Sequence, residues 1–147
     1  MIVYADTSAL VKLFVTEENS KATREMLLQA WAMGTGLLTR AELGAALARG
    51  ARMGLLSEKE AVEAQRQLGM VWPTWVRIAM DEQVISQAEA LAWKYALLGY
   101  DAIHLASAMI WQEHIEHSIV LATFDRELWA AAQKINLAVW PEGWQQG

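Results

Sequence analysis

The chain predicts an α/β domain with a central parallel sheet. Short apolar stretches alternate with longer helical patterns along its 147 residues, the signature of βα units joined by right-handed crossovers. Acidic residues open four of the helical patterns: Asp6, Glu42 and Asp125 behind strand-like stretches, and Asp101 behind a Gly99-Tyr100 break. Hydrophobic residues make up 54% of the chain, enough for one sizeable core at this length. Residues 1–147 therefore read as a single domain, without linker, repeat or low-complexity segment.

Residues 2–5 (Ile-Val-Tyr-Ala) form a short buried strand, and 7–15 a short helix. Glu17-Glu18-Asn19-Ser20 breaks the pattern, and Ser20 or Asn19 suits the cap of a helix over 21–33. Met26, Leu27, Ala30 and Trp31 fall on the inner face of that helix. Gly34-Thr35-Gly36 reads as its C-terminal stop, leaving Leu37-Leu38-Thr39 as a minimal strand. A helix follows over 40–53, and Ser57-Glu58-Lys59-Glu60 has the capping-box form that opens another to about 69. Residues 40–70 are thus a helical hairpin inserted into the βα alternation. A dimer surface, the wall of a substrate groove and a packed layer all suit it. Residues 75–80 alternate as a strand, and a helix over 82–97 places Val84, Ala88, Leu91, Ala92 and Tyr95 on one stripe. A helix over 101–116, a strand over 119–123, a helix over 125–134 and a strand over 137–140 complete the fold.

Composition excludes several functions. There is no Cys, so disulfides, thiolate zinc sites and Cys nucleophiles are absent, which fits a reducing cytoplasm. No basic residues precede the first apolar run, so a signal peptide is not expected. No apolar stretch is long enough to span a bilayer. Setting the four acids aside from the formal net charge of −5 leaves −1, so any basic footprint for nucleic acid is local. The eight Trp residues suit packing in the core or at an interface, with stacking on unpaired bases as the functional alternative.

Each of the four acids has a structural explanation. Asp6, Asp101 and Asp125 suit helix N-caps, and Glu42 stands three residues after Thr39 in the capping-box position. The set points further. In an open α/β sheet, the carboxyl ends of the strands line one crevice. Two unit charges about 4 Å apart there repel by about 4 kcal/mol at an effective dielectric near 20. A hard divalent cation such as Mg²⁺ turns that repulsion into binding.

The motifs around these acids resemble those of the PIN-domain family, and within it the VapC-type toxin ribonucleases of toxin–antitoxin pairs. Asp6-Thr7-Ser8-Ala9-Leu10-Val11-Lys12 is similar to the family's first motif, and Thr39-Arg40-Ala41-Glu42-Leu43 with Ala45-Ala46-Leu47 to its second. Asp101-Ala102-Ile103-His104-Leu105-Ala106 resembles the third, and Thr123-Phe124-Asp125-Arg126-Glu127-Leu128 the fourth. The resemblance implies a three-layer α/β/α fold with a parallel sheet of four or five short strands. It also implies metal-dependent RNA cleavage, with Asp6, Glu42, Asp101 and Asp125 around Mg²⁺ or Mn²⁺, a homodimer and a cognate antitoxin protein.

Other residues near the acids invite roles. Ser8 and Thr123 are turn or cap residues, or hydroxyls that hold a ligand carboxylate or metal-bound water. His104 either orients a carboxylate or is a satisfied, partly buried histidine. Lys12, Arg40 and Arg126 lie close in sequence to an acid and offset its charge or meet phosphate; the alternative is ordinary surface charge. Arg49 and Arg52 share one helix face and suit an RNA backbone. The leading expectation is an endoribonuclease that uses a metal-activated water. The alternatives are a Mg²⁺-binding interaction domain without turnover, a DNA-directed nuclease, and an aspartate-based phosphatase. The last would want a second Asp two residues after Asp6, where Ser8 stands.

Overall fold

The computed structural model describes residues 1–144. Five strands form one parallel sheet: β1 (Ile2–Ala5), β2 (Ala32–Gly36), β3 (Val76–Ile78), β4 (Ile119–Ala122) and β5 (Ala138–Trp140), in the order β3-β2-β1-β4-β5. Among the described residues, seven α-helices surround it: α1 (Thr7–Leu10), α2 (Ser20–Leu28), α3 (Thr39–Arg52), α4 (Glu58–Val71), α5 (Glu82–Tyr95), α6 (Gly99–Ile115) and α7 (Arg126–Lys134).

β1 shows why helices cover both faces. All four of its residues are buried, the continuous apolar run of a strand enclosed on both sides. Side chains alternate across a strand. Ile2 and Tyr4 therefore join one core, with Leu105, Trp111, Ile119, Leu121 and Leu128. Val3 and Ala5 join the other, with Leu10, Met26, Leu27, Leu43, Leu68, Trp72 and Trp75. The expected three layers follow. The chain runs from β1 out to β3 on one side, then crosses to β4 and β5 on the other. The carboxyl end of β1 is thus the topological switch point, where open α/β sheets place ligands.

The hairpin α3–α4 adds a satellite core of Leu47, Leu56, Ala61 and Ala64, packed against Phe14 and Val15. The Ser57–Glu60 capping box forms as read: Glu60 N–H donates to Ser57 Oγ at 3.2 Å, and Ser57 N–H donates to Glu60 Oε2 at 2.7 Å.

The segment 29–39 differs from the sequence reading. Helix α2 ends at Leu28, and the strand is Ala32–Gly36 rather than 37–39. The two glycines are strand positions emptied for aromatic neighbours, not a helix stop. A Cβ on Gly34 would stand 2.6 Å from the Trp111 ring, and one on Gly36 would stand 3.1 Å from the Tyr4 hydroxyl. Trp31 leaves the expected inner face and is 70% exposed. Neither proposed cap acts as one: Asn19 makes no side-chain cap bond, while Ser20 Oγ accepts from Glu17 N–H and donates to the Val15 carbonyl. The first helix shortens to α1 and a 3₁₀ turn over Val11–Leu13. The strand expected over 75–80 contracts to β3. Gly99-Tyr100 is not a break but the first turn of α6. Among the tryptophans, Trp72, Trp75 and Trp111 are buried as packing predicts, whereas Trp93 is 86% exposed.

Candidate active site

The site grows from the residue that follows β1. Asp6 N–H donates to the Ala122 carbonyl at 3.1 Å, extending the β1–β4 ladder by one step. Asp6 is 4% exposed, and its carboxylate is held by three donors. Oδ1 accepts from Ser8 Oγ at 2.7 Å and from Ala9 N–H at 3.0 Å; Oδ2 accepts from Thr123 Oγ1 at 2.6 Å. The two hydroxyls reach onward. Ser8 Oγ accepts from Phe124 N–H at 2.7 Å, and Thr123 Oγ1 from Asp125 N–H at 3.0 Å. The turns after β1 and β4 are thereby tied together through one carboxylate. Burial pushes Asp6 above the usual carboxylate range, against the pull of His104 and of its hydroxyl donors.

Asp125 caps α7, accepting from Leu128 N–H at 2.8 Å. Capping therefore accounts for one oxygen of Asp125 and part of the bonding of Asp6. It fails at the other two acids. Leu38 holds the N-cap position of α3, and Thr39 is turned inward to accept from Thr35 Oγ1 at 2.9 Å. Glu42 Oε1 instead accepts from Thr7 Oγ1 at 2.7 Å and meets His104 Nε2 at 2.9 Å. Burial raises Glu42, but the hydrogen bonds from His104 and Thr7 outweigh it and carry the carboxyl below its ordinary value.

Asp101 lies in the first turn of α6, with Leu98 at the N-cap. Among the described residues, no hydrogen-bond donor or cation pairs with its carboxylate. Burial first, then the charges of Asp125, Asp6 and Glu127, push Asp101 up to about 6, against the opposing pull of His104. His104, one turn along α6, is buried and bonded at both ring nitrogens: Nδ1 to the Tyr4 hydroxyl at 2.9 Å, and Nε2 to Glu42. It is the satisfied buried histidine of the sequence reading, and its partner is one of the four acids.

All four acids line one cleft of about 370 Å³, together with Thr7, Ser8, Lys12, Ala46, Arg49, His104 and Phe124. Lys12 is buried there and already engaged: its Nζ donates to Glu17 Oε1 at 2.7 Å and to the Glu18 carbonyl at 2.9 Å, and lies 4.2 Å from the Phe124 ring centroid. Arg40 and Arg126 do not line the cleft. Arg40 lies over the Trp72 ring, and Arg126 borders a separate hollow with Tyr95 and Lys134. Arg49 takes the place expected for them, on the α3 face that carries Glu42 and Ala46. Sequence reasoning missed Thr7 and Tyr4 as partners of the site. Tyr4 had a signal: it shares the parity of Asp6 along the extended chain, so both side chains fall on the α6 side.

The donor set suits a hard divalent cation. It offers carboxylate oxygens from four separate elements, one of them with no donor of its own. Among the described residues, no three Asp, Glu or His side chains stand close enough to form a ready-made cage. Mg²⁺ keeps several waters and takes one or two carboxylates directly, so the residues that would hold it need not form a closed cage.

Fold and site together define a class: a parallel α/β domain with an acidic cleft at its switch point. The PIN domain model matches residues 3–134. The chain is 34% identical to ribonuclease VapC45 of Mycobacterium tuberculosis, over 95% of each chain. It is 32% identical to ribonuclease VapC3 of Pyrobaculum aerophilum, over 96% of this chain and 100% of that one. This chain belongs to the PIN-domain family, in its VapC branch. Among solved structures, FitAcB from Neisseria gonorrhoeae aligns with a TM-score of 0.63 at 20% identity, covering 95% of this chain and 96% of that one. VapBC2 from Rickettsia felis, bound to a DNA fragment from its promoter, aligns with a TM-score of 0.62 at 15% identity, covering 95% and 97%.

Proposed function

We propose that this chain is a metal-dependent endoribonuclease, the toxin of a toxin–antitoxin pair. One observation carries the reading: four carboxylates, from the end of β1, α3, α6 and the cap of α7, line one cleft, and among the described residues no donor or cation pairs with that of Asp101. The names of the VapC relatives supply the substrate class. Asp6, Glu42, Asp101 and Asp125 hold Mg²⁺ or Mn²⁺ in this reading. A bound ion of this kind supplies an activated water and polarises a phosphodiester oxygen. The protein's own part is placement. Ser8 and Thr123 fix Asp6, Thr7 and His104 fix Glu42, and Arg49 offers its guanidinium to a phosphate at the rim. Among the described residues lining the cleft, no side chain is set up as a covalent nucleophile: the chain has no Cys, and Ser8 donates its proton to Asp6. Hydrolysis by water leaves a 5′-phosphate and a 3′-hydroxyl.

An antitoxin protein completes the proposal, because one solved neighbour, at 21% identity, is a toxin–antitoxin complex from Klebsiella pneumoniae. A homodimer and a cytoplasmic setting belong to the same reading. Among the described residues, no helix is long and apolar enough to cross a membrane. The test uses purified chain free of partner. RNA cleavage should need Mg²⁺ or Mn²⁺, stop with EDTA, and vanish in Asp101→Ala. Glu42→Ala and Asp125→Ala should lose about 10–100-fold. Cleavage that survives EDTA sinks the mechanism, and metal binding without turnover points to an interaction domain instead.

A further inference from the structure

Glu42 is gripped by one oxygen only. Thr7 Oγ1 and His104 Nε2 both meet Oε1, at 2.7 and 2.9 Å, and no donor among the described residues meets Oε2. Behind His104 stands a second, wholly buried partner. The Tyr4 hydroxyl is 2.9 Å from Nδ1, and the two rings pack edge to face with centroids 6.0 Å apart. Tyr4 is 0% exposed and His104 2%. The three residues span the layers: Tyr4 comes from the central strand, His104 from α6 and Glu42 from α3. Room for it is left on purpose at the end of β2. A Cβ on Gly36 would press on the Tyr4 hydroxyl at 3.1 Å and lie 3.9 Å from His104 Cε1.

We propose that Tyr4 and His104 are positioning residues that, with Thr7, pin Glu42 by Oε1 and turn Oε2 toward the cleft for the cation. The inference deepens the metal-site reading and rests on it for the identity of the ligand. The direction of the chain of bonds follows from chemistry. A phenol carries its proton near neutral pH, and the Tyr4 hydroxyl, 2.9 Å from Nδ1, can donate to it. With Nδ1 as acceptor, the ring proton on Nε2 faces Glu42 Oε1 at 2.9 Å and can donate to it. Fixing the tautomer of one histidine through its far nitrogen is how outer partners orient metal-binding groups elsewhere. Asp101 lies one turn before His104 on α6, so the helix that carries one acid also orients another.

The test compares Tyr4→Phe, His104→Leu and His104→Gln with the parent chain. The first readout is nitrogen-15 NMR of the His104 ring at pH 8 without metal: the proton should be on Nε2, with Nδ1 bare. The second is Mg²⁺ titration by calorimetry. Tyr4→Phe should weaken binding about 3–10-fold and His104→Leu about 10–100-fold, while His104→Gln, whose amide N–H can still reach Oε1, should recover most of the loss. Circular dichroism and melting show that each variant is folded. A proton on Nδ1, or equal Mg²⁺ affinity in the parent and folded His104→Leu, overturns the proposal. If the parent itself fails to bind Mg²⁺, the metal reading falls and this inference falls with it. If the parent binds and cleaves RNA while the variants match it, only the positioning role is lost.

Discussion

Asp6 and Asp101 bring the same side chain to the same cleft and are held in opposite ways. Asp6 is the more buried, yet three donors meet its two oxygens. Asp101 is more open, yet no donor among the described residues meets it, and three acids crowd it. Both sit above the normal carboxylate range for the same first cause, burial. The difference lies in what removal does. Asp6 is a joint of the fold as well as a candidate ligand, whereas Asp101 is a local liability that a cation would relieve.

The largest effect should come from breaking the joint. Asp6→Ala leaves Ser8, Thr123 and the Ala9 N–H short of an acceptor, at about 1–3 kcal/mol for each buried group that finds no substitute. Urea unfolding should show a loss of several kcal/mol along with the loss of cleavage. The change to asparagine sharpens the contrast. Charge relief alone predicts that Asp6→Asn and Asp101→Asn both stabilise the metal-free protein. The bonding divides them. Ser8 and Thr123 already accept backbone N–H groups, so an amide aimed at either leaves a hydroxyl proton without an acceptor. Asp6→Asn should therefore destabilise by about 1 kcal/mol or more, and Asp101→Asn should stabilise by a few tenths to about 1 kcal/mol. Added Mg²⁺ should then raise the melting temperature of the parent more than that of Asp101→Asn. Equal melting shifts for the two variants would erase the distinction.

Asp101 also sets a pH dependence. Its folded pKa of about 6 lies above the ordinary 3.8. The folded state thus holds the proton more tightly than the unfolded state, and the stability this contributes is complete below about pH 4 and lost as pH rises to about 6. Glu42 works the other way, because its folded pKa is depressed: it contributes above its unfolded value and fades as pH falls. In metal-free melts, the advantage of Asp101→Asn over the parent should be small at pH 4 and full by pH 7. A constant advantage across that range would mean that Asp101 is not titrating there. The smallest effects are expected at the arginines that miss the cleft. Arg126→Ala should leave cleavage within twofold, whereas Arg49→Ala should raise KM several-fold; the reverse order would place the substrate elsewhere.

Much of this was legible in the sequence because it rests on periodicity and end signals. The alternation of short strands with helices fixed the class, and the Ser57–Glu60 pair marked α4 correctly. The segment 29–39 was misread because Gly-Thr-Gly is a helix-stop pattern locally, and its meaning depends on Trp111, more than seventy positions away. The four acids were visible, and so was their alternative as caps. What the sequence could not separate was capping from convergence: capping holds for Asp6 and Asp125, and fails for Glu42 and Asp101. Arg40 and Arg126 were chosen for nearness along the chain, but residues one or two apart on a helix do not share a face. Arg49, seven residues from Glu42 and so on the same face, was the better choice by the same geometry.

Gly34 and Trp111 together act as a depth gauge. The ring sits where a side chain on β2 would be, and so sets how far α6 can sink toward the sheet. Asp101 is ten residues away on the same helix, a lever arm of about 15 Å at 1.5 Å per residue. A tilt of about 4° at the gauge would swing the acid by roughly 1 Å over that arm. A methyl group added at Gly34, where it would meet the Trp111 ring, should therefore shift Asp101 as well.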